Sequence, residues 1–357
     1  VPDSITITTD KAVDFLIDLL NTPSPTGYTD AAIALCEVAF APLLAKFPGA
    51  AAARTTKGAL MLHIPGAASA HPLGLTAHVD TLGLLVTEIK KNGRLKVTNL
   101  GGVMWGGIEM EGVTVRTRGD ERIRGTIVPE NASVHVNRSI RSTPRNEDTL
   151  EIRLDTRTSS AAETRAHGIE VGDFIFIDPR VETGPAGFIR SRFLDDKLSV
   201  ACLYAALEAL GAAGTVPAQD TEILISNYEE VGHGGAAGWR SDLYELIAID
   251  MAAVGEGQNS DEYHCTICVK DSSGPYHFHT TERLRRIADA HHIDVKTDIY
   301  PYYSSDASAY WRSGGTAMTG LVGPGVDTSH SYERTHIDAL AATGHLLAAY
   351  LRDFAVD

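Results

Sequence analysis

The segment Ile223-Leu-Ile-Ser-Asn-Tyr-Glu229-Glu230-Val-Gly-His-Gly-Gly235 reads as a short apolar strand that runs into two adjacent carboxylates and a glycine-rich turn. In open α/β sheets ligands bind beyond the carboxyl ends of strands, so chemistry belongs where such a strand stops. Neighbouring residues on an extended segment point to opposite sides. One carboxylate can then face a metal ion while the other faces a water or a substrate. A lone Glu-Glu pair is ordinarily a solvated strand end. It gains meaning only when other metal-type residues also close strands.

Such residues occur on both sides of the segment. Upstream, the strand over 72–78 closes with His78-Val-Asp80. Side chains two apart share a strand face, so Asp80 can hydrogen-bond the imidazole that His78 offers to a metal. Asp195-Asp196 open a helix, where one carboxylate can act as N-cap and the other as ligand. Downstream, Asp250 ends the apolar run Leu246-Ile-Ala-Ile, and His330 lies in an irregular loop after a strand over 317–322. Each has a bland reading as a structural pair, a cap or a loop histidine. Together, His78, Asp195, Glu230, Asp250 and His330 supply two imidazoles and three carboxylates, enough for two divalent ions with one bridging carboxylate. Nitrogen and oxygen donors suit zinc, cobalt or manganese. Glu229 is left over as a general base.

The flanking pattern gives the architecture. One-sided helices are predicted from residue 9 or 10 to 20, with Val13, Leu16, Ile17 and Leu20 on the buried face, and from 30 to as far as 47, with Pro42 kinking or ending the second. Alternation of helices with short apolar strands points to a mixed α/β layer structure. Between Gly83 and Arg190 the helical period disappears, and short β-like runs recur between Gly, Asn and Asp turns. The expected division is a catalytic domain over 1–83 and 189–357, interrupted by an inserted all-β domain, a barrel or sandwich, over 84–188. After it, a helix carries Leu198, Cys202, Ala205 and Ala209 on one stripe. Further helices are expected near 236–245, 281–291, from 306 and over 337–354. His277 and His279 are expected to share a strand face as a surface pair.

Composition sets limits. The 357 residues carry a formal charge of −15, which argues against nucleic-acid binding. Four cysteines are too few for a disulfide scaffold and suit a reducing compartment. No run approaches the length of a membrane span, and the opening residues lack the pattern of a signal peptide. A cytoplasmic location is expected, with no membrane partner.

The motifs Ala77-His-Val-Asp80-Thr-Leu-Gly83, Leu194-Asp-Asp-Lys197, Glu229-Glu-Val-Gly232, Ala248-Ile-Asp250, Ser305-Asp306-Ala and His330-Ser follow one another in an order that resembles metallo-aminopeptidase family M42 of clan MH, the glutamyl aminopeptidase and TET group once also called cellulase M. Asn99-Leu-Gly-Gly102 and residues 166–175 fit the same family, so the resemblance spans nearly the whole chain. It implies a zinc-peptidase-type α/β/α domain with a mixed sheet and an all-β insertion that mediates self-association, up to a dodecamer. It implies His78, Asp195, Glu230, Asp250 and His330 as metal ligands, Asp195 bridging, Glu229 as base and Asp80 as orienter of His78. The implied substrates are short peptides or amino-acid amides. The chain departs from the family at Lys197, where arginine is usual, at His233-Gly-Gly235, where Leu-Arg-Gly is usual, and after His330-Ser, where His336 becomes a rival ligand.

Other readings use the same residues. An amidohydrolase of the same clan would act on N-acyl or amidated dipeptide-like compounds, and a loose resemblance to a subgroup encoded beside osmoprotectant-making enzymes points there. A glycosidase would pair Glu229 with another carboxylate and leave both histidines without a role. A non-catalytic scaffold would not need the ligand and base positions.

Overall fold

A computed structural model describes residues 5–356. Among them a mixed sheet of thirteen strands forms the larger unit. Its centre is a parallel ladder of the strands Gln219–Ser226, Ala68–His78, Glu245–Ile249 and Met318–Asp327. Ser226 pairs with His78, Ala248 with Thr76, and Ile249 with Val322. Because these strands run the same way in this register, three of them stop at one edge. His78, the turn after Ser226, and Asp250 after Ile249 are therefore brought together there.

Side-chain alternation along the strands builds two layers. Ile247 and Ile249 enter the main core, with Leu198 and Leu203 of the helix Leu194–Ala212 and Leu346 and Leu347 of the helix Ile337–Asp353. Leu246 and Ala248 point the other way, into smaller clusters with Tyr310 and Ala307 of the helix Asp306–Arg312. The result is an α/β/α arrangement with its thicker helical layer on the Ile247 side. Leu194–Ala212 buries Leu198, Cys202, Ala205 and Ala209 as expected, but also Val200, Leu203 and Leu207. It is covered nearly all round, as an almost wholly apolar helix must be.

The first helix, Asp10–Asn21, turns its stripe further than the sequence suggests. Ala12, Phe15, Leu16, Leu19 and Leu20 are buried, while Val13 and Ile17 are only half-buried. Stacking of Phe15 on Tyr204, with centroids 5.1 Å apart, sets the rotation. The second helix, Asp30–Leu44, carries Pro42 in its last turn and stops two residues later.

Six antiparallel-paired strands close into a barrel: Gly83–Ile89, Leu95–Leu100, Leu150–Leu154, Arg122–Pro129, Gly112–Arg116 and Phe174–Ile177. Leu84, Val86, Val97, Val113, Val115, Ile127 and Ile152 fill its own core. Strands Glu182–Thr183 and Phe188–Ser191 already belong to the large sheet, through pairing of the latter with Glu333–His336. One short helix, Ala161–Ala166, interrupts the β region, with the Ser160 hydroxyl accepting from Glu163 N. Six residues are too few to leave a periodic signal.

Two expectations fail locally. Residues 236–244 form turns rather than a helix. Gly238 is left-handed at φ +106°, and the Trp239 indole folds back to donate to Gly235 O at 2.8 Å. His277 and His279 are not on a strand; His277 stands at the N-cap of the helix Phe278–Ala290. Among the described residues no helix is long and apolar enough to cross a membrane.

Candidate metal centre

His78 is the last residue of its strand and is buried. Its Nδ1 lies 2.9 Å from the carbonyl oxygen of Asp80. A carbonyl can only accept, so Nδ1 carries a proton, and in the neutral ring Nε2 is the nitrogen left with a lone pair. That Nε2 points at Asp195 Oδ1 (3.4 Å) and Glu229 Oε2 (3.6 Å), and has no hydrogen-bond partner among the described residues. His330 repeats the device. Its Nδ1 lies 2.9 Å from Gly102 O, and its Nε2 points at Asp195 Oδ2 (3.4 Å) and Glu230 Oε2 (3.7 Å). Asp195 thus offers one oxygen to each imidazole.

Two groups follow, each with ligand atoms within 4.8 Å of one another: His78, Asp195 and Asp250, and Asp195, Glu230 and His330. All five candidate ligands are brought together, with Asp195 common to both groups. A buried imidazole nitrogen without a donor, aimed at carboxylate oxygens, is what a divalent cation needs, so the donor set fits a metal pair. His336 does not reach it. Its Nδ1 accepts from Asp338 N (3.1 Å), and its Nε2 lies 2.7 Å from Ala186 O, so both nitrogens are used.

The two glutamates reach the site differently from the expected opposed pair. Their strand stops at Ser226, Tyr228 turns left-handed (φ 65°), and Glu229–Val231 form a 3-10 turn. Both carboxylates therefore enter the same cavity, Glu229 beside His78 and Glu230 beside His330. Asp80 fixes this turn. Its Oδ1 accepts from Glu229 N (3.0 Å), and its Oδ2 accepts from Thr26 Oγ1 (2.7 Å) and Glu230 N (3.3 Å). Its carboxylate stays 3.6 Å from the His78 ring, so the backbone carbonyl makes the bond expected of the side chain.

Neither aspartate at residues 195 and 196 caps the helix. Both have non-helical φ/ψ, and the peptide between them is cis. Asp196 Oδ2 accepts from His78 N at 3.2 Å instead. Lys197 turns inward and donates to Leu19 O and Thr22 O, both at 2.8 Å, which holds the end of the first helix.

Sequence reasoning gave no role to two carboxylates, although Asp306 stands in the motif Ser305-Asp306-Ala. Glu333 is buried, and its two oxygens accept from Asp195 N and His330 N, both at 3.1 Å. One side chain so fixes the backbone of two candidate ligands. Asp306 accepts from Thr76 Oγ1 (2.9 Å), Gly235 N (2.6 Å) and the Ser226 hydroxyl, tying together the chain beneath Glu229. The signal for Glu333 was a carboxylate inside the short alternating strand Glu333–His336, legible only once that strand is known to be covered.

Electrostatics explain why such a cluster calls for cations. Burial raises the Glu230 carboxyl to about 8, with the charge of Asp195 adding to it. Burial and Asp195 likewise raise Asp250 to about 8. Burial also pushes Glu229 well up. For Asp195 burial acts upward too, but the His330 and His78 imidazoles beside it outweigh that and hold the group low. Burial lowers His330, yet Asp195 outweighs that and raises it to about 10. Without metal, Glu230 and Asp250 keep protons in the folded state that the unfolded chain releases above its ordinary carboxylate pKa. Their contribution to stability therefore falls as pH rises from about 4 to about 8. Added divalent metal must displace those protons. The rise in melting temperature on adding zinc is expected to be larger at about pH 7 than at about pH 5. Thermal scans at both values check this, and an equal or reversed shift would contradict it.

The sequence profile described as M42 glutamyl aminopeptidase matches residues 58–346. A Bacillus subtilis protein named as an aminopeptidase, YhfE, is 43% identical over 342 residues, covering 96% of this chain and 97% of the relative. Among solved structures, an aminopeptidase from the archaeon Desulfurococcus kamchatkensis superposes with a TM-score of 0.85 at 22% identity, covering 96% of this chain and 95% of that one. The Pyrococcus horikoshii TET1 peptidase, described as able to assemble into a tetrahedron or a large octahedral shell, superposes with a TM-score of 0.82 at 20% identity, covering 96% and 100%. At these identities the two structural likenesses speak to the fold.

Proposed function

The chain belongs to the M42 glutamyl aminopeptidase family and is a peptidase, a hydrolase acting on peptide bonds; from that premise we propose that it removes N-terminal residues from short peptides with two divalent ions, zinc, cobalt or manganese. His78, Asp195 and Asp250 would hold one ion, and Asp195, Glu230 and His330 the other. The observation that carries this reading is the division of the Asp195 oxygens between two imidazoles whose Nδ1 atoms are tied to carbonyls. When bound, such a pair polarises the scissile carbonyl and makes water acidic enough to attack at neutral pH.

The protein's own groups do the rest. A cationic amino terminus is drawn to the cavity floor, where Asp195, Glu229, Glu230 and Asp250 converge. Glu229 is the floor carboxylate outside both ligand groups, and its side chain is only 12% exposed. It takes a proton from the attacking water and returns it to the leaving amine. Burial pushes its pKa up from the ordinary carboxylate range, the direction that makes a carboxylate a stronger base. Asp80 holds Glu229 in place through the backbone, and Glu333 holds Asp195 and His330.

A free-amine aminoacyl anilide is expected to be cleaved, and its N-acetylated twin at least about 10²-fold more slowly, since the acetyl group removes the charge that the floor attracts. Preference for the acetylated compound would point to an amidohydrolase instead. We also propose that residues 84–188 act as an inserted unit for self-association, a reading supported by the assembly described for the Pyrococcus horikoshii relative. Light scattering is expected to give a mass several times the 38.2 kDa of the chain; a monomer would refute it.

A further inference from the structure

The cavity in front of the carboxylates has a volume of about 610 Å³. Its floor is acidic, but the rest of its lining is not: Met251, Ala253, Gln258, Tyr300, Tyr302 and Ser304 are among the residues of an uncharged wall. Among the described residues no lysine or arginine lines the cavity.

Three polar groups of the wall are already engaged. The Tyr300 hydroxyl lies 2.6 Å from Ser260 Oγ, and the Tyr303 hydroxyl donates to Met251 O at 2.9 Å. Gln258, assigned the amide orientation that satisfies its neighbours, donates to Asp298 Oδ1 (3.0 Å) and Ile299 O (2.8 Å). Ser329 Oγ at the rim donates to Asp195 Oδ2 at 3.0 Å. Apart from the Tyr302 and Ser304 hydroxyls, what the wall presents is ring carbon, methylene and methyl surface.

Resting on the aminopeptidase reading above, we propose that this wall receives the side chain of the substrate's N-terminal residue and selects an uncharged apolar or aromatic one, of leucine, methionine or phenylalanine size, against glutamate. A carboxylate placed there would give up hydration and find no lysine or arginine among the lining residues to replace it. A lysine ammonium would meet no carboxylate on the wall. An apolar side chain gains from leaving water and costs no polar partner. Ala253 and Gln258 are the residues that set this preference. Ala253, in the strand Ala252–Val254, leaves the room for a branched or aromatic group, and Gln258 stands where a cation would have to be to bind an acidic one.

The test uses the metal-loaded full chain with leucyl, phenylalanyl, alanyl, glutamyl and lysyl anilides, together with calorimetric binding of free leucine and free glutamate. The kcat/KM for leucyl is expected to exceed that for glutamyl by about 10²-fold or more, and leucine is expected to bind more tightly than glutamate. Preference for glutamyl or lysyl overturns the proposal and leaves the aminopeptidase reading intact. Cleavage of none of the anilides refutes that reading, while the order of leucine and glutamate binding still decides the wall. Ala253→Phe fills the space and is expected to lower the leucyl-to-alanyl ratio by about tenfold or more; an unchanged ratio overturns the assignment. Should that variant fail to melt cooperatively, Gln258→Arg serves. It is expected to raise the glutamyl-to-leucyl ratio by about tenfold or more, and no change in that ratio overturns the proposal.

Discussion

Glu229→Gln is expected to keep both metal ions and to lower turnover by about 10²–10⁴-fold, the contribution of a positioned general base. The amide has the shape of the carboxylate but cannot take a proton. The turn that carries it is fixed by the backbone N–H groups of Glu229 and Glu230 on Asp80, so the substitution leaves the ligand geometry standing. Substrate affinity should change little, and added metal should not restore the rate. Glu230→Gln, one residue on, is expected to behave oppositely. It should lose metal at the site shared with His330, and excess metal should recover part of the activity. Metal analysis beside single-turnover kinetics separates the two. If Glu229→Gln sheds metal while Glu230→Gln holds it, base and ligand must be exchanged along this turn.

Asp195→Asn is expected to have the broadest effect of any single ligand change, because Asp195 alone belongs to both groups. Its two oxygens face different imidazoles, so loss of its charge weakens both sites together. Activity should fall to background, and bound metal should fall by two equivalents where Glu230→Gln loses one. The thermal stabilisation that metal gives the parent chain, about 2.7 kcal/mol per ion at a hundredfold excess over Kd, should vanish with it. Retention of one full equivalent by Asp195→Asn would show that the two sites are held independently and that Asp195 is not shared.

What the sequence conveys about this site is mostly placement. His78 and Asp250 directly follow apolar runs, and apolar runs in a parallel ladder stop at a common edge, so their convergence could be read before any coordinates. Orientation is another matter. The left-handed turn at Tyr228 sends Glu229 and Glu230 into one cavity, and nothing in the residue itself announces that backbone. The tautomers of His78 and His330 depend on carbonyls at Asp80 and Gly102, one of them 228 residues away in sequence. The roles of Glu333 and Asp306 went unread because their partners are largely backbone amides and hydroxyls, which leave no pattern of charge. The absent helix over 236–244 was lost to Gly238 and to the folding back of Trp239, a tertiary preference that outweighs the composition of the segment.

The carbonyl of Gly102 follows the barrel strand Leu95–Leu100, yet it orients His330 from the other side of the cavity. A side chain at position 102 would come within 3.0 Å of the ring nitrogen it serves. The barrel is therefore no detachable cargo. A lineage that shortened it, or exchanged it for another module, would disarm one half of the proposed metal centre in the same event. Recombination across residues 84–188 is accordingly constrained at a point one hydrogen bond from the lining of the cavity.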